Sequence, residues 1–235
     1  MIQLQNIDIG FHEKLFEIEN LSLEKGSVYV LIGANGKGKT TLLKTLIGEV
    51  KPLKGDVIIN KKRLKEMSRL DKSKYLSFVG SKQQDVDFLK VNEYVSLGRV
   101  PYTNLLGSKR LNDTEKVKVA LDTLEITHLQ DKFTNELSDG EKQLAAISKA
   151  IAQETDIIIL DEPTAFLDYA NRILVLNLLK AIAVSLNKVV LFSSHDIDTV
   201  LEQEVKLLII DKANKELKSF IPNLLSKEDV IRMAF

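Results

Sequence analysis

The stretch Val28-Tyr29-Val30-Leu31-Ile32, then Gly33-Ala34-Asn35-Gly36-Lys37-Gly38-Lys39-Thr40, then Thr41-Leu42-Leu43-Lys44-Thr45-Leu46-Ile47-Gly48 decides the fold. Its opening apolar run is continuous rather than alternating, which predicts a strand covered on both faces, as in a parallel sheet. Leu42, Leu43, Leu46 and Ile47 share one side of a helix predicted over Lys39 to Ile47, and Gly48 stands at its C-cap. The residues between match G-x-x-x-x-G-K-[ST] in the strand-to-helix context that this loop requires. Glycines let backbone N–H groups from Gly33 through Thr41 curl around a phosphate, and the helix N-terminus adds partial positive charge. Lys39 reaches the β and γ phosphates, and the Thr40 hydroxyl is a magnesium ligand. Lys37 belongs to the same loop.

Similar apolar runs recur at Val57 to Ile59, Leu76 to Val79, Ile157 to Leu160, Val189 to Phe192 and Leu207 to Ile210, so the chain reads as α/β. The run Ile157 to Leu160 ends in Asp161-Glu162, and carboxylates at the end of a parallel strand face the crevice where ligands bind. Asp161 is placed for magnesium, and Glu162 for orienting or deprotonating an attacking water. More than 120 residues separate the strand at Val28 from that at Ile157, too many for one crossover. The middle reads helical: Val91 to Leu97, Asp113 to Leu124, and a helix opening at Ser138 with Glu141 completing a capping box. The expected organisation is one domain over 1–235, an α/β core at about 1–84 and 154–235, with a helical subdomain at about 85–153.

The chain's 235 residues are enough for a sizeable core, and 44% apolar with 28% charged is the composition of a globular protein. Thirty-three basic side chains balance thirty-three acidic ones, which argues against a general nucleic-acid binder. No cysteine is present, excluding disulfides and thiolate sites, and His12, His128 and His195 lie too far apart to suggest zinc. The longest purely apolar runs are far shorter than the 18 to 20 or so residues of a membrane span, and the N-terminus lacks a secretory pattern. A cytoplasmic location is expected, with any membrane attachment through a partner. Lys61 to Lys74 carries seven basic residues against two acids and reads as a solvated face.

Further motifs carry a resemblance. Leu137-Ser138-Asp139-Gly140-Glu141 resembles the LSGGQ signature of the ATP-binding-cassette superfamily, about 20 residues before IIILDEPTAFLD. Phe166-Leu167-Asp168 is similar to the family's D-loop, and His195 follows the strand VVLFSS in the switch-histidine position. The resemblance covers the whole chain in the right order. It implies a P-loop NTPase (RecA-like) core with an antiparallel β subdomain and an inserted helical signature subdomain. It further implies ATP and magnesium as ligands, hydrolysis by Lys39, Glu162 and His195, and a head-to-tail homodimer in which Ser138, Asp139, Gly140, Glu141 and Asp168 face the partner's ATP. Phe11 matches the aromatic that stacks on adenine, with Phe16 the alternative. Asp139 replaces the usual Gly and brings negative charge near phosphate, which is expected to weaken ATP-driven closure. The Q-loop glutamine is replaced: counting back from Val91 lands on Ser81, which would contact the metal unless Gln83 or Gln84 takes the place.

Val91-Asn92-Glu93-Tyr94-Val95-Ser96-Leu97-Gly98-Arg99-Val100-Pro101-Tyr102 resembles V-x-E-L-V-x-x-G-R-x-P-[YHW] of the ATPases driving uptake of iron-siderophores, haem and cobalamin. The implied function is the ATPase subunit of a bacterial importer, peripheral on the inner membrane face through a permease and served indirectly by a substrate-binding protein. The alternative is a permease-free cassette acting as an iron-sulfur-type assembly scaffold. A GTPase is disfavoured, since neither Asn187-Lys188-Val189-Val190 nor Asn214-Lys215-Glu216-Leu217 completes N-K-x-D.

Overall fold

The computed structural model describes residues 1–81, 86, 88–103, 111–165, 167–222 and 224–235. Gln83, Gln84 and Phe166 therefore lie outside the described residues. The strands are β1 (Ile2–Gly10), β2 (Lys14–Leu23), β3 (Ser27–Ile32), β4 (Lys54–Ile59), β5 (Lys62–Arg63), β6 (Leu76–Val79), β7 (Ile157–Leu160), β8 (Val189–Ser194), β9 (Lys206–Asp211) and β10 (Glu216–Phe220). The helices are α1 (Lys39–Ile47), α2 (Arg69–Tyr75), α3 (Val91–Ser96), α4 (Leu111–Thr123), α5 (Asp139–Ala152), α6 (Tyr169–Ser185), α7 (Ile197–Leu201) and α8 (Lys227–Ala234).

The strand order is β5-β4-β1-β2-β10-β9-β3-β8-β7-β6. From β9 to β6 every pairing is parallel, whereas β5, β4, β1 and β2 pair antiparallel, as does β10 with β9. The α/β core with an antiparallel β portion is thus present. Strand β3 shows why its apolar run is unbroken. Val28, Val30 and Ile32 pack on the side of α3 to α6 and α8, while Tyr29 and Leu31 pack with α1, β1 and β2 on the other.

Sheet register delivers the chemistry to one place. Leu160 pairs with Phe192, and Ile32 with Ser194, so Gly33, Asp161 and His195 all emerge at the carboxyl end of adjacent strands. Helices α3, α4 and α5 form the predicted helical stretch between β6 and β7, and Val95, Leu121 and Ile147 join them in the core. The basic run is solvated as expected, for α2 buries no side chain. No helix among the described residues is long and apolar enough to cross a membrane.

Candidate active site

Helix α1 opens without a side-chain cap and without an acid in its first turn. The first amide donors of any helix lack an intrahelical partner, and here no side-chain cap takes them, which is the condition for holding an anion. Gly38 precedes them at φ 101°, a left-handed conformation, and an added Cβ would stand 2.9 Å from the Phe16 ring. Only glycine satisfies both constraints. The Lys39 Nζ donates to Gly33 O at 2.7 Å and Ala34 O at 3.5 Å, so the buried ammonium lies across the loop it would share with a phosphate. Desolvation lowers the Lys39 pKa, opposed by Glu162 and Asp161. An entering polyphosphate would add further negative charge and favour the ammonium against that desolvation. Lys37 is exposed.

The Ala34 amide is engaged elsewhere: it donates to Ala234 O, at the C-terminal end of α8, at 3.0 Å. The Lys37 amide is engaged as well, donating to Ala34 O at 3.3 Å, so neither Ala34 nor Lys37 offers its amide to a phosphate in this conformation. Lys212 reinforces the same docking, donating from its backbone to Met233 O at 2.9 Å and from Nζ to Phe235 O at 2.8 Å. Sequence gave no signal for this bond, because nothing in α8 resembles a nucleotide motif.

Opposite the loop, the Thr40 hydroxyl donates to Asp161 Oδ2 at 3.0 Å. Two hard oxygen donors so close suit magnesium, which takes few protein ligands and fills its shell with water and phosphate oxygens. Among the described residues no group of three or more His, Cys, Asp or Glu side chains is placed to hold a metal ion. The hydroxyl of buried Ser193 donates to Asp161 Oδ1 at 2.6 Å and accepts from the Glu162 amide at 2.8 Å. No motif in the sequence marks Ser193. The signal that finds it is register: the parallel Leu160 to Phe192 pairing puts the next residues of each strand side by side.

Glu162 itself has φ 49°, a left-handed backbone that costs of order 1–3 kcal/mol in a non-glycine residue. The Ser193 hydrogen bond anchors the amide of that residue, and its carboxylate stands beside His195, whose Nδ1 is 3.4 Å from Glu162 Oε2. Ser81 lies just beyond β6; the pairing of Val79 with Leu160 carries it to the same sheet end as Glu162, and it is exposed.

The aromatic alternatives separate cleanly. Phe11 is 60% exposed at the turn between β1 and β2, whereas Phe16 is fully buried under the loop. Phe16 is core, and Phe11 remains available for stacking. At the signature, Ser138 caps α5 by accepting from the Glu141 amide, and Glu141 Oε2 accepts from the Ser138 amide and hydroxyl, each at 2.8 Å. The Ser138 backbone bond, then the hydroxyl, hold the Glu141 carboxyl below its usual range. A Cβ on Gly140 would meet only Leu167, at an ordinary 3.6 Å. The fold itself does not require glycine there. Asp168 caps α6, accepting from the Asn171 amide at 2.8 Å. Arg172, also unmarked in the sequence reading, donates to Leu167 O and to Asp196 Oδ2, both at 2.8 Å, and so ties the segment before α6 to the residue after His195.

Known proteins resemble this chain. Residues 16–165 match the ABC transporter family model. An iron(3+)-hydroxamate import ATP-binding protein, FhuC of Bacillus subtilis, is 32% identical over 200 residues, 84% of this chain and 74% of that protein. The molybdate import ATP-binding protein MolC of Haemophilus influenzae is 33% identical over 211 residues, 88% of this chain and 78% of its own. An inward-facing structure described as a metal-chelate type ABC transporter superposes with a TM-score of 0.84 at 30% identity, covering 99% of this chain and 88% of that one. The phosphate loop, the paired carboxylates and the capped LSDGE helix thus occur together in a chain that belongs to the ABC transporter family of ATP-binding proteins, which are ATPases.

Proposed function

We propose that this chain is the ATP-hydrolysing subunit of a bacterial importer for an iron chelate, working as a head-to-tail homodimer that encloses two ATP molecules and drives a separate permease. The observation that carries the reading is the continuous chain Thr40, Asp161, Ser193, Glu162 and His195 facing an uncapped helix N-terminus and a buried lysine. The helical stretch 85–153 acts as the signature-bearing subdomain of a single domain. Its Ser138, Asp139, Gly140 and Glu141, with Asp168, face the nucleotide held by the other copy.

Each residue has a definite task. Lys39 leaves Gly33 O for the β and γ phosphates, the loop amides hold the remaining oxygens, and Phe11 covers the adenine. Thr40 and Asp161 would hold magnesium, with Ser81 contributing directly or through water, and the ion would supply neutralisation of phosphate charge. Glu162 accepts a hydrogen bond from water and takes its proton as the water oxygen bonds to the γ phosphorus. The bond from that phosphorus to the bridging oxygen breaks, leaving ADP and phosphate. His195, held beside Glu162, donates to the γ phosphate. Catalysis here is positioning and charge stabilisation rather than covalent chemistry.

Uptake assays in the source organism test the cargo and the importer reading together. Deleting the chain should abolish radioiron uptake from a ferric hydroxamate and leave molybdate uptake intact. Loss of molybdate, haem or cobalamin uptake in place of iron-hydroxamate uptake would overturn the cargo, and loss of none of them would favour a permease-free cassette.

A further inference from the structure

The GRVPY segment, Gly98 to Tyr102, has a job inside this chain that the nucleotide site leaves unexplained. It clasps the C-terminal end of α5, the helix whose other end is the signature. A Cβ on Gly98 would stand 2.3 Å from Lys149 O, so only glycine permits the approach. Arg99, 5% exposed, donates from Nη1 to Ala152 O at 2.7 Å, satisfying a terminal helix carbonyl and placing positive charge at the negative end of the helix. The same guanidinium donates to Asp113 of α4 and to Glu154 just past α5, each at 2.9 Å. Tyr102 stacks beneath it, with Arg99 Cζ 4.3 Å from the ring centroid, and its hydroxyl donates to Gln153 O at 3.0 Å. Gln153 in turn donates to Ser73 O at 2.6 Å and Leu76 O at 3.0 Å, at the start of β6. The clasp therefore sits where the helical stretch meets the sheet.

We propose that Arg99 is a positioning residue for the hydrolytic reaction: with Gly98 and Tyr102 it fixes the tilt of α5, and thereby the place of Ser138 to Glu141 against the partner copy's nucleotide. The inference rests on the sandwich reading above. Leverage makes it consequential. The helix has 14 residues, and at 1.5 Å per residue it is about 21 Å long, so a tilt of about 10° at the clasp moves the signature by about 4 Å. That is several times the tolerance of a hydrogen bond, and it leaves the phosphate loop of the same copy untouched.

The test uses Arg99→Met, Arg99→Lys and Tyr102→Phe, each built into Glu162→Gln so that bound ATP is not consumed. Two quantities are read: ATP affinity of the dilute monomer by fluorescent-nucleotide titration, and the ATP-dependent dimer constant by analytical ultracentrifugation. Arg99→Met should leave monomer affinity within about twofold and weaken dimerisation about tenfold or more, because both ends of the clasp lose charged hydrogen bonds. Arg99→Lys should recover part of the loss, since the charge remains without the fork geometry. Tyr102→Phe removes one hydroxyl, keeps the ring, and should weaken dimerisation severalfold; it carries the test if Arg99→Met fails to fold. Unchanged dimerisation in Arg99→Met, or in Tyr102→Phe where Arg99→Met cannot be read, overturns the proposal. So does monomer affinity that falls in step with dimerisation, for that marks general damage. Failure of the Glu162→Gln parent to dimerise would instead overturn the sandwich reading, and this inference with it.

Discussion

Ser193→Ala removes one buried oxygen and leaves the phosphate loop intact. That hydroxyl donates to Asp161 Oδ1 at 2.6 Å and accepts from the Glu162 amide at 2.8 Å. Its loss strips one charged hydrogen bond from Asp161 and frees the amide of a residue whose left-handed backbone that bond supports. A hydrogen bond to a charged group contributes about 1.5–3 kcal/mol, and an unsatisfied donor costs about 1–3 kcal/mol where water cannot reach it. If about half of that combined loss is felt in the transition state, turnover falls by about 10- to 100-fold, since about 1.4 kcal/mol is a factor of ten. Lys39 Nζ bonds to Gly33 O and Ala34 O rather than to Ser193, so ATP affinity should hold within a few-fold. Steady-state phosphate release, measured with a magnesium titration and a parallel melting curve, separates the effects. Unchanged turnover in a folded variant would refute the positioning role, and so would ATP affinity lost as completely as turnover.

Further outcomes follow from the same geometry. Lys39→Ala should lose ATP affinity, while Lys37→Ala, whose side chain is exposed, should not; equal losses in a nucleotide titration would contradict the assignment. Gly140→Ala should melt within a few degrees of the parent yet lose most turnover, because its Cβ makes only an ordinary contact with Leu167 in this chain and would crowd the partner's phosphate in the proposed dimer. Ser81→Ala should raise the magnesium concentration needed for half-maximal activity, and an unchanged value would move the role to Gln83 or Gln84. Asp211, buried, has its pKa lowered to about 2: burial raises it, and donors from Lys218, Asn214 and Ala213 outweigh that. Its ionised form is favoured on folding, so this stabilisation is present above about pH 4 and is lost as pH falls toward 2. Asp211→Asn should therefore lower the melting temperature at pH 7 and lose that difference in acid.

Sequence disclosed the site's chemistry better than its architecture. The buried parallel strands announce themselves because both faces are covered, and the Ser138 to Glu141 box is a local pattern with a local cause. Strand β1 was harder to see: Ile2 and Leu4 point inward, then Asn6 turns left-handed at φ 47° and the inward set resumes at Ile7 and Ile9. That irregularity, visible as a register shift against β4, breaks the period-two pattern that would have marked a strand. Ser193, Arg172 and Ala234 stayed hidden for a different reason. Each acts on a segment brought to it by sheet register or helix docking, and no spacing in the chain encodes those partners. Arg99 stood in a recognisable motif, but only packing shows that its guanidinium ends on Asp113, Ala152 and Glu154.

Glu162→Gln tests the central claim most directly. The amide can still accept a hydrogen bond from water but cannot take its proton, so ATP should bind and remain uncleaved. Light scattering on a size-exclusion column should show the 26.4 kDa chain as a monomer alone and at twice that mass with magnesium and ATP. A species that stays monomeric and still releases phosphate would contradict both the catalytic role of Glu162 and the ATP-enclosing dimer.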